Sequence, residues 1–482
     1  MTEDEPRVVG LPQLIGSLIK LAVLALVVLT LIVGVWVASS MAAHQNVSPA
    51  LAIAAGALLF PVGPLLWDAW SARGLGGKRR QSRFIDRLIL RTLFLNVLFL
   101  GVLLGTRPQL GFVALSTRGD WFLDGRSGPD VDRARAFVFA SAARLEWLYL
   151  AFHRNPYREP PKKKEGDKST PTPAPVVDAH PVPARPGEPG APRWPLPATL
   201  HPLVAAMLAS AETSIGAVGY YIAEHERDPV QRVKALHDWV VDRIAYDVPA
   251  LALPHIPQED AEPEDVFRNR KGVCSGYALL LVALGRVTGD EIAYVVGDAR
   301  LGHKEDEGGT GHAWAAARLG GKWYLIDPTW DAGSVDGERF TKAYHTEYLF
   351  TSPEIFGLDH FPEEERWQLR AVPISRGEFM RQPMMRPRFY AEGFELLSPD
   401  RSQVTVDAVF EAQVRNRKGR FLLADFVPRL GGEEQRCDVS GDALLTIRCA
   451  PPRAGEFDVR LYSAGERYTT YAGVGRIEVN RR

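Results

Sequence analysis

The sequence predicts an α+β protein in three parts: a helical membrane anchor, a mixed globular core and a C-terminal all-β sandwich. Three observations carry that expectation. Long apolar runs come first, helix-period and then strand-period patterns follow a proline-rich break, and short strand-like segments separated by turn residues come last.

The first part rests on three apolar runs, residues 21–38, 49–67 and 88–105, each long enough for a helix that crosses a bilayer core of about 20 residues. Pro61 and Pro64 interrupt the second run, which membrane helices tolerate. Arg91 lies close enough to one end of the third to snorkel. The loop between the second and third runs carries Arg73, Lys78, Arg79, Arg80, Arg83 and Arg87, and the positive-inside rule assigns it to the cytoplasm. Three spans then put everything after residue 106 on the far side. Residues 136–152 are apolar too, but Arg144 and Glu146 at their centre favour an amphipathic or packed helix over a fourth span. The expected domains are an anchor over 1–106, a membrane-proximal helical segment over 107–155, a linker over 156–198, a globular domain over 199–387 and a β-domain over 388–482.

Residues 156–197 hold 13 of the 36 prolines, a composition that forms an extended spacer rather than a core. Beyond it Val233, Leu236, Val240 and Ile244 recur at helical spacing, and the apolar run after Cys274 predicts a buried helix capped by Gly289. "EIAYVVGDA", "HAWAAARL" and "KWYLIDPTW" read as strands, with Gly320-Gly321 as a two-residue hairpin turn. From about residue 388, "QVTVDAVFEAQV", "FLLADFV", "ALLTIRC", "FDVRLY" and "GRIEV" suggest a small sandwich of immunoglobulin-like type.

Charge is silent on function: 57 Lys and Arg against 58 Asp and Glu give no electrostatic reason to expect nucleic acid as partner. No nucleotide-binding glycine loop occurs, and no cofactor is implied. The three cysteines, Cys274, Cys437 and Cys449, are too few for a disulfide-stapled fold or a cysteine-rich metal module. Cys437 and Cys449 stand twelve apart across a turn-like "SGD"; an oxidised pair is expected outside the membrane and reduced core thiols in the cytoplasm.

Cys274 opens "CSGYALLLVAL" just after Gly272, so it sits at a helix N-terminus, where the dipole and free N–H groups favour a thiolate. A buried core thiol is the competing reading of a lone cysteine. The hairpin adds a second observation. A two-residue turn at Gly320-Gly321 sets Asp327 opposite Trp314, and His312 is then a diagonal neighbour on the same face, at roughly 7 to 8 Å between Cα atoms. A His–Asp hydrogen bond follows, and the helix start carrying Cys274 would complete a set of nucleophile, base and orienting carboxylate. A metal on Cys274, His312 and Asp327 lacks a Cys or His pair at ligand spacing.

"GVCSGYALLLVAL" followed by "GHAWAAARLGGKWYLIDPTWD" resembles the transglutaminase-like superfamily of papain-type cysteine enzymes, and "ALHDWVVDRIAYD" is similar to the helix leading into that core. The resemblance covers about residues 225–335. "YLFTSPEIFGLDHFPEEERWQL" is similar to the segment that follows the core in kyphoscoliosis-peptidase-type members. It implies a papain/transglutaminase-like α+β core with Cys274 as nucleophile, His312 as general base and acid, and Asp327 as its orienter. The implied activity is that of a membrane-anchored cysteine peptidase, amidase or acyltransferase acting on an amide of a protein or peptide through a thioacyl intermediate. The Cys274 N–H supplies one oxyanion donor; Trp239 is read as helix packing, and no second donor is placed. The superfamily also contains inactive members, so a silent scaffold in envelope or division-site assembly is the alternative. His237 and His360 are read as structural hydrogen bonders, His303 as a solvated loop residue, and Asp331 as closing the loop after the strand.

Overall fold

Cys274, Tyr277, Leu280, Leu281 and Leu284 leave hardly a polar stripe on their helix, which can therefore be stable only when surrounded. The computed structural model describes residues 11–74, 84–106, 108–126, 128–158, 191–251, 253, 260–300 and 309–482. It divides into two units, residues 1–153 and 154–482. His303 and most of the proline-rich linker lie outside the described residues.

In the first unit the three apolar runs fall within helices α1 (Leu11–His44), α2 (Pro49–Gly74) and α3 (Phe84–Thr106). Among the described residues one helix, Leu18–His44 within α1, is long and apolar enough to cross a membrane by length and composition. Arg91 and Arg87 hold Asp68 of α2 at 2.5 and 3.0 Å, and the Arg91 guanidinium lies over Trp67. The segment that competed as a fourth span is two short helices, Pro129–Ala143 and Glu146–Phe152, broken at Arg144 and Leu145.

The second unit begins with helices α4 (Ile215–His225) and α5 (Pro229–Arg243), whose N-caps Ser214 and Asp228 accept from Ala217 N and Gln231 N. Helix α6 (Cys274–Thr288) runs between them and a five-stranded sheet, and Gly289 ends it in the left-handed conformation. The sheet consists of β1 (Ile292–Ala299), β2 (Thr310–Leu319), β3 (Lys322–Ile326), β4 (Leu349–Thr351) and β5 (His360–Pro362), in the order β4-β3-β2-β1-β5, antiparallel throughout. Val218, Ile222, Leu236, Val240, Leu280, Leu284, Ala315 and Ile326 share one fully buried core, each large aliphatic side chain contributing about 1.5–3 kcal/mol. Trp239 packs there, stacked on Phe267.

The globular unit starts earlier than the expected residue 199. Leu196 and Ala191 pack on this core, Trp194 donates to Glu347 O, and Asn155 to Arg158 also lie on the domain. The linker composition hides these anchoring residues because their partners are far away in sequence.

The C-terminal part forms two further sheets. Strands β6 (Phe394–Ser398), β7 (Gln403–Val406), β8 (Phe410–Asn416), β9 (Phe421–Pro428), β10 (Asp438–Ser440), β11 (Leu444–Cys449), β12 (Gly455–Ala464) and β13 (Ala472–Arg481) follow in sequence. One sheet runs β6-β8-β11-β10; in the other β13 and β12 are followed by β9, while β7 and Met384–Met385 also pair with β13. Phe410, Val414 and Ile447 of the first share a core with Phe426, Val459 and Ile477 of the second. Cys437 and Cys449 are joined by a disulfide at its edge, twelve residues apart.

Candidate active site

The glycines around Cys274 exist for packing. A Cβ on Gly276 would stand 2.3 Å from Asp260 O, and one on Gly272 would stand 3.0 Å from the same atom, so the 260–266 segment closes directly onto the helix start. Val273, extended, precedes the helix, and Cys274 is its first residue. Cys274 is a free cysteine, 1% exposed. The Tyr246 ring packs beside it.

Gly320 and Gly321 both adopt positive φ, and the hairpin pairs Ala315 with Ile326 and Leu319 with Lys322, the register a two-residue turn requires. Asp327 follows the last paired residue of β3. His312 Nε2 lies 2.7 Å from Asp327 Oδ2. Cys274 is close enough to the same imidazole to act on its charge. Burial works hardest against a charge on His312, yet Asp327 and Cys274 outweigh it and raise its pKa to about 10. Burial likewise disfavours the Asp327 carboxylate, but His312 and His360 hold its pKa well below the usual range.

The Asp327 carboxylate is fully used. Oδ1 accepts from Thr329 N at 2.8 Å and Trp330 N at 3.3 Å, while Oδ2 also meets His360 Nε2 at 3.0 Å. His360 is a hydrogen bonder, as expected, and its partner is the Asp327 carboxylate. Its Nδ1 lies 2.7 Å from Asp359 Oδ1, and Tyr348 donates to Asp359 Oδ2 at 2.6 Å. A buried chain of hydrogen bonds thus runs from His312 through Asp327, His360 and Asp359 to Tyr348. Sequence reasoning missed it because β5 is three residues long and carries no periodic signal. Trp330 and Phe356 close over the His360 ring at 4.5 and 4.2 Å.

His237 sits elsewhere, between Asp238 and Asp331 at 3.0 and 3.2 Å, and Asp331 also accepts from Tyr348 N. These groups fix the loop after Asp327, as expected for Asp331. Ligand-type atoms of His312, Asp327 and His360 lie within 4.8 Å of one another. Both Nε2 atoms are spent on one Asp327 oxygen, so the cluster is closed on itself by hydrogen bonds. Cys274 is not in that cluster.

Residues 217–328 match the family model described as the transglutaminase-like superfamily. The kyphoscoliosis peptidase of Mus musculus is 29% identical over 258 residues, which cover 51% of this chain and 37% of that protein. The kyphoscoliosis peptidase of Homo sapiens is 33% identical over 181 residues, covering 36% and 27%. The chain thus spans about a third of the length of these curated relatives. A solved structure titled as that of a TGase aligns with a TM-score of 0.22 at 20% identity, over 28% of this chain and 35% of that one.

Proposed function

We propose that this chain, whose residues 217–328 form a transglutaminase-like domain, is a membrane-anchored cysteine enzyme that breaks an amide bond through Cys274, His312 and Asp327. One observation carries the reading: an imidazole hydrogen-bonded to a buried carboxylate and close enough to a cysteine at a helix N-terminus for that cysteine to act on its charge.

In the mechanism this arrangement supports, the Cys274 sulfur attacks the amide carbonyl carbon and a C–S bond forms. The Cys274 N–H, at the start of the helix, supports the developing oxyanion. The C–N bond then breaks, and the leaving nitrogen takes the proton held by His312, which is the charged form at neutral pH. Water attacks the thioester carbon next and gives a proton back to His312, the C–S bond breaks to restore the Cys274 thiolate, and a carboxylic acid is released; an amine in place of water yields a new amide. Asp327 keeps the imidazole oriented throughout.

A second and third span at residues 49–67 and 88–105, which lie in the helices Pro49–Gly74 and Phe84–Thr106, would leave the globular unit outside the cytoplasm. The Cys437–Cys449 disulfide agrees with an oxidising compartment, and the paired C-terminal sheets agree with an immunoglobulin-like sandwich. Peptides or proteins of the cell envelope would then be within reach. The test is to incubate the full-length chain with envelope proteins and hydroxylamine, and to look for acyl adducts on Cys274 and released hydroxamates by mass spectrometry. Both are expected in the wild type, absent in Cys274→Ala, and at least a hundredfold slower in Asp327→Asn. Equal product from wild type and Cys274→Ala would overturn the reading.

The burial of Cys274 at 1% exposure favours a second reading, a silent scaffold in envelope or division-site assembly. A scaffold would keep its cellular phenotype in Cys274→Ala.

A further inference from the structure

Cys274 is covered by the chain's own residues 155–158, a segment that nothing in the hydrolytic scheme requires. Asn155 donates from Nδ2 to Gly297 O and accepts from Tyr157 N at 2.9 Å, which turns the chain inward. Pro156 lies so close to β2 that a Cβ on Gly311, the residue before His312, would stand 2.8 Å from its Cδ. The Tyr157 carbonyl accepts from the Tyr294 hydroxyl at 3.0 Å. The Tyr157 side chain, 5% exposed, packs with Ala250, Val273, Cys274 and Ala313, with Tyr246 and Tyr294 alongside. It packs directly beside Cys274 itself. Arg158, next along, pairs with Glu363 at 2.7 Å.

This is how a bound peptide is held: main-chain and side-chain anchors at both ends, one side chain filling an apolar pocket, and one charge matched outside it. The pocket opens on the same thiol that His312 faces. The geometry points to residues 155–158 being an internal occupant of the substrate cleft, whose pocket takes an aromatic side chain followed by a basic residue from an extended peptide. As folded, the site is closed, and an external peptide must displace this strap to reach the thiol. The inference deepens the cysteine-enzyme reading, on which the word substrate rests. Burial, and next the neighbouring Cys274, push the Tyr157 phenol well above the usual tyrosine range, so the plug is neutral and suited to an apolar pocket.

The test reads occupancy of the cleft rather than turnover. Cys274 is the only unbridged cysteine, so iodoacetamide labelling of the full-length chain reports its accessibility. Tyr157→Ala is expected to label at least tenfold faster than wild type, and Asn155→Ala, which loosens the strap from outside the pocket, at least threefold faster. A peptide copying residues 153–159 should slow labelling of Tyr157→Ala back towards the wild-type rate; the same peptide with alanine for the tyrosine should not. Protection by the peptide excludes unfolding as the source of fast labelling. Unchanged labelling in both variants, or equal protection by both peptides, would overturn the inference. A chain that opens to label and is protected by peptide, yet yields no acyl adduct, keeps the cleft and loses the enzymatic reading.

Discussion

His312 and Asp327 were legible as neighbours because parity is a property of the turn: two glycines between two apolar runs fix which side chains share a face. Their partner His360 was not, since it reaches Asp327 from a three-residue strand 33 positions later. Tyr157 was hidden for another reason, a proline-rich context that signals a spacer. The charge state of the pair makes a prediction. A histidine ordinarily titrates near 6.5, and His312 holds its proton to about pH 10, so between those values the folded chain keeps a proton that the unfolded chain has lost. The stability from this pair is complete below about pH 6.5 and disappears as pH rises through about 10. Asp327 works in the opposite sense: its contribution is present above the ordinary carboxylate range and is lost as acid takes the pH below it. Thermal melts from pH 7 to 10 should therefore show a falling melting temperature, with a shallower fall in Asp327→Asn; parallel slopes would refute the assignment.

At the scale of the element, the position of the thiol depends on how closely helix α6 approaches the 260–266 segment. The apolar run and the Gly289 cap were readable from composition, but the tight contact at Gly276 was not, because its partner Asp260 sits in an irregular stretch. Gly276→Ala puts a methyl group against a backbone oxygen, which cannot move aside as a flexible side chain would. Destabilisation by about 1–3 kcal/mol is expected in urea denaturation. A change under 0.5 kcal/mol would mean that the segment relaxes and that the helix start is less constrained than this packing implies.

Across the whole molecule, the order of parts was legible from changes in hydrophobic period, whereas the long-range pairings were not: the parallel match of β7 with β13 joins residues about 75 positions apart, and no local pattern encodes it. The disulfide binds one edge of this region. Replacing Cys437 and Cys449 together by alanine should lower the stability of the C-terminal sheets by about 2–4 kcal/mol, the usual worth of closing a short loop, while leaving the labelling rate of Cys274 unchanged. A coupled change in both would show that the two halves of the globular unit unfold as one. Strand β13 pairs with β12 along its length, with β7 on its other side and with Met384–Met385 as well. The sheet therefore has a single point of failure: removing the chain from Ala472 onward would strip three partners at once and leave raw edges that recruit other chains, so aggregation should precede any change around Cys274.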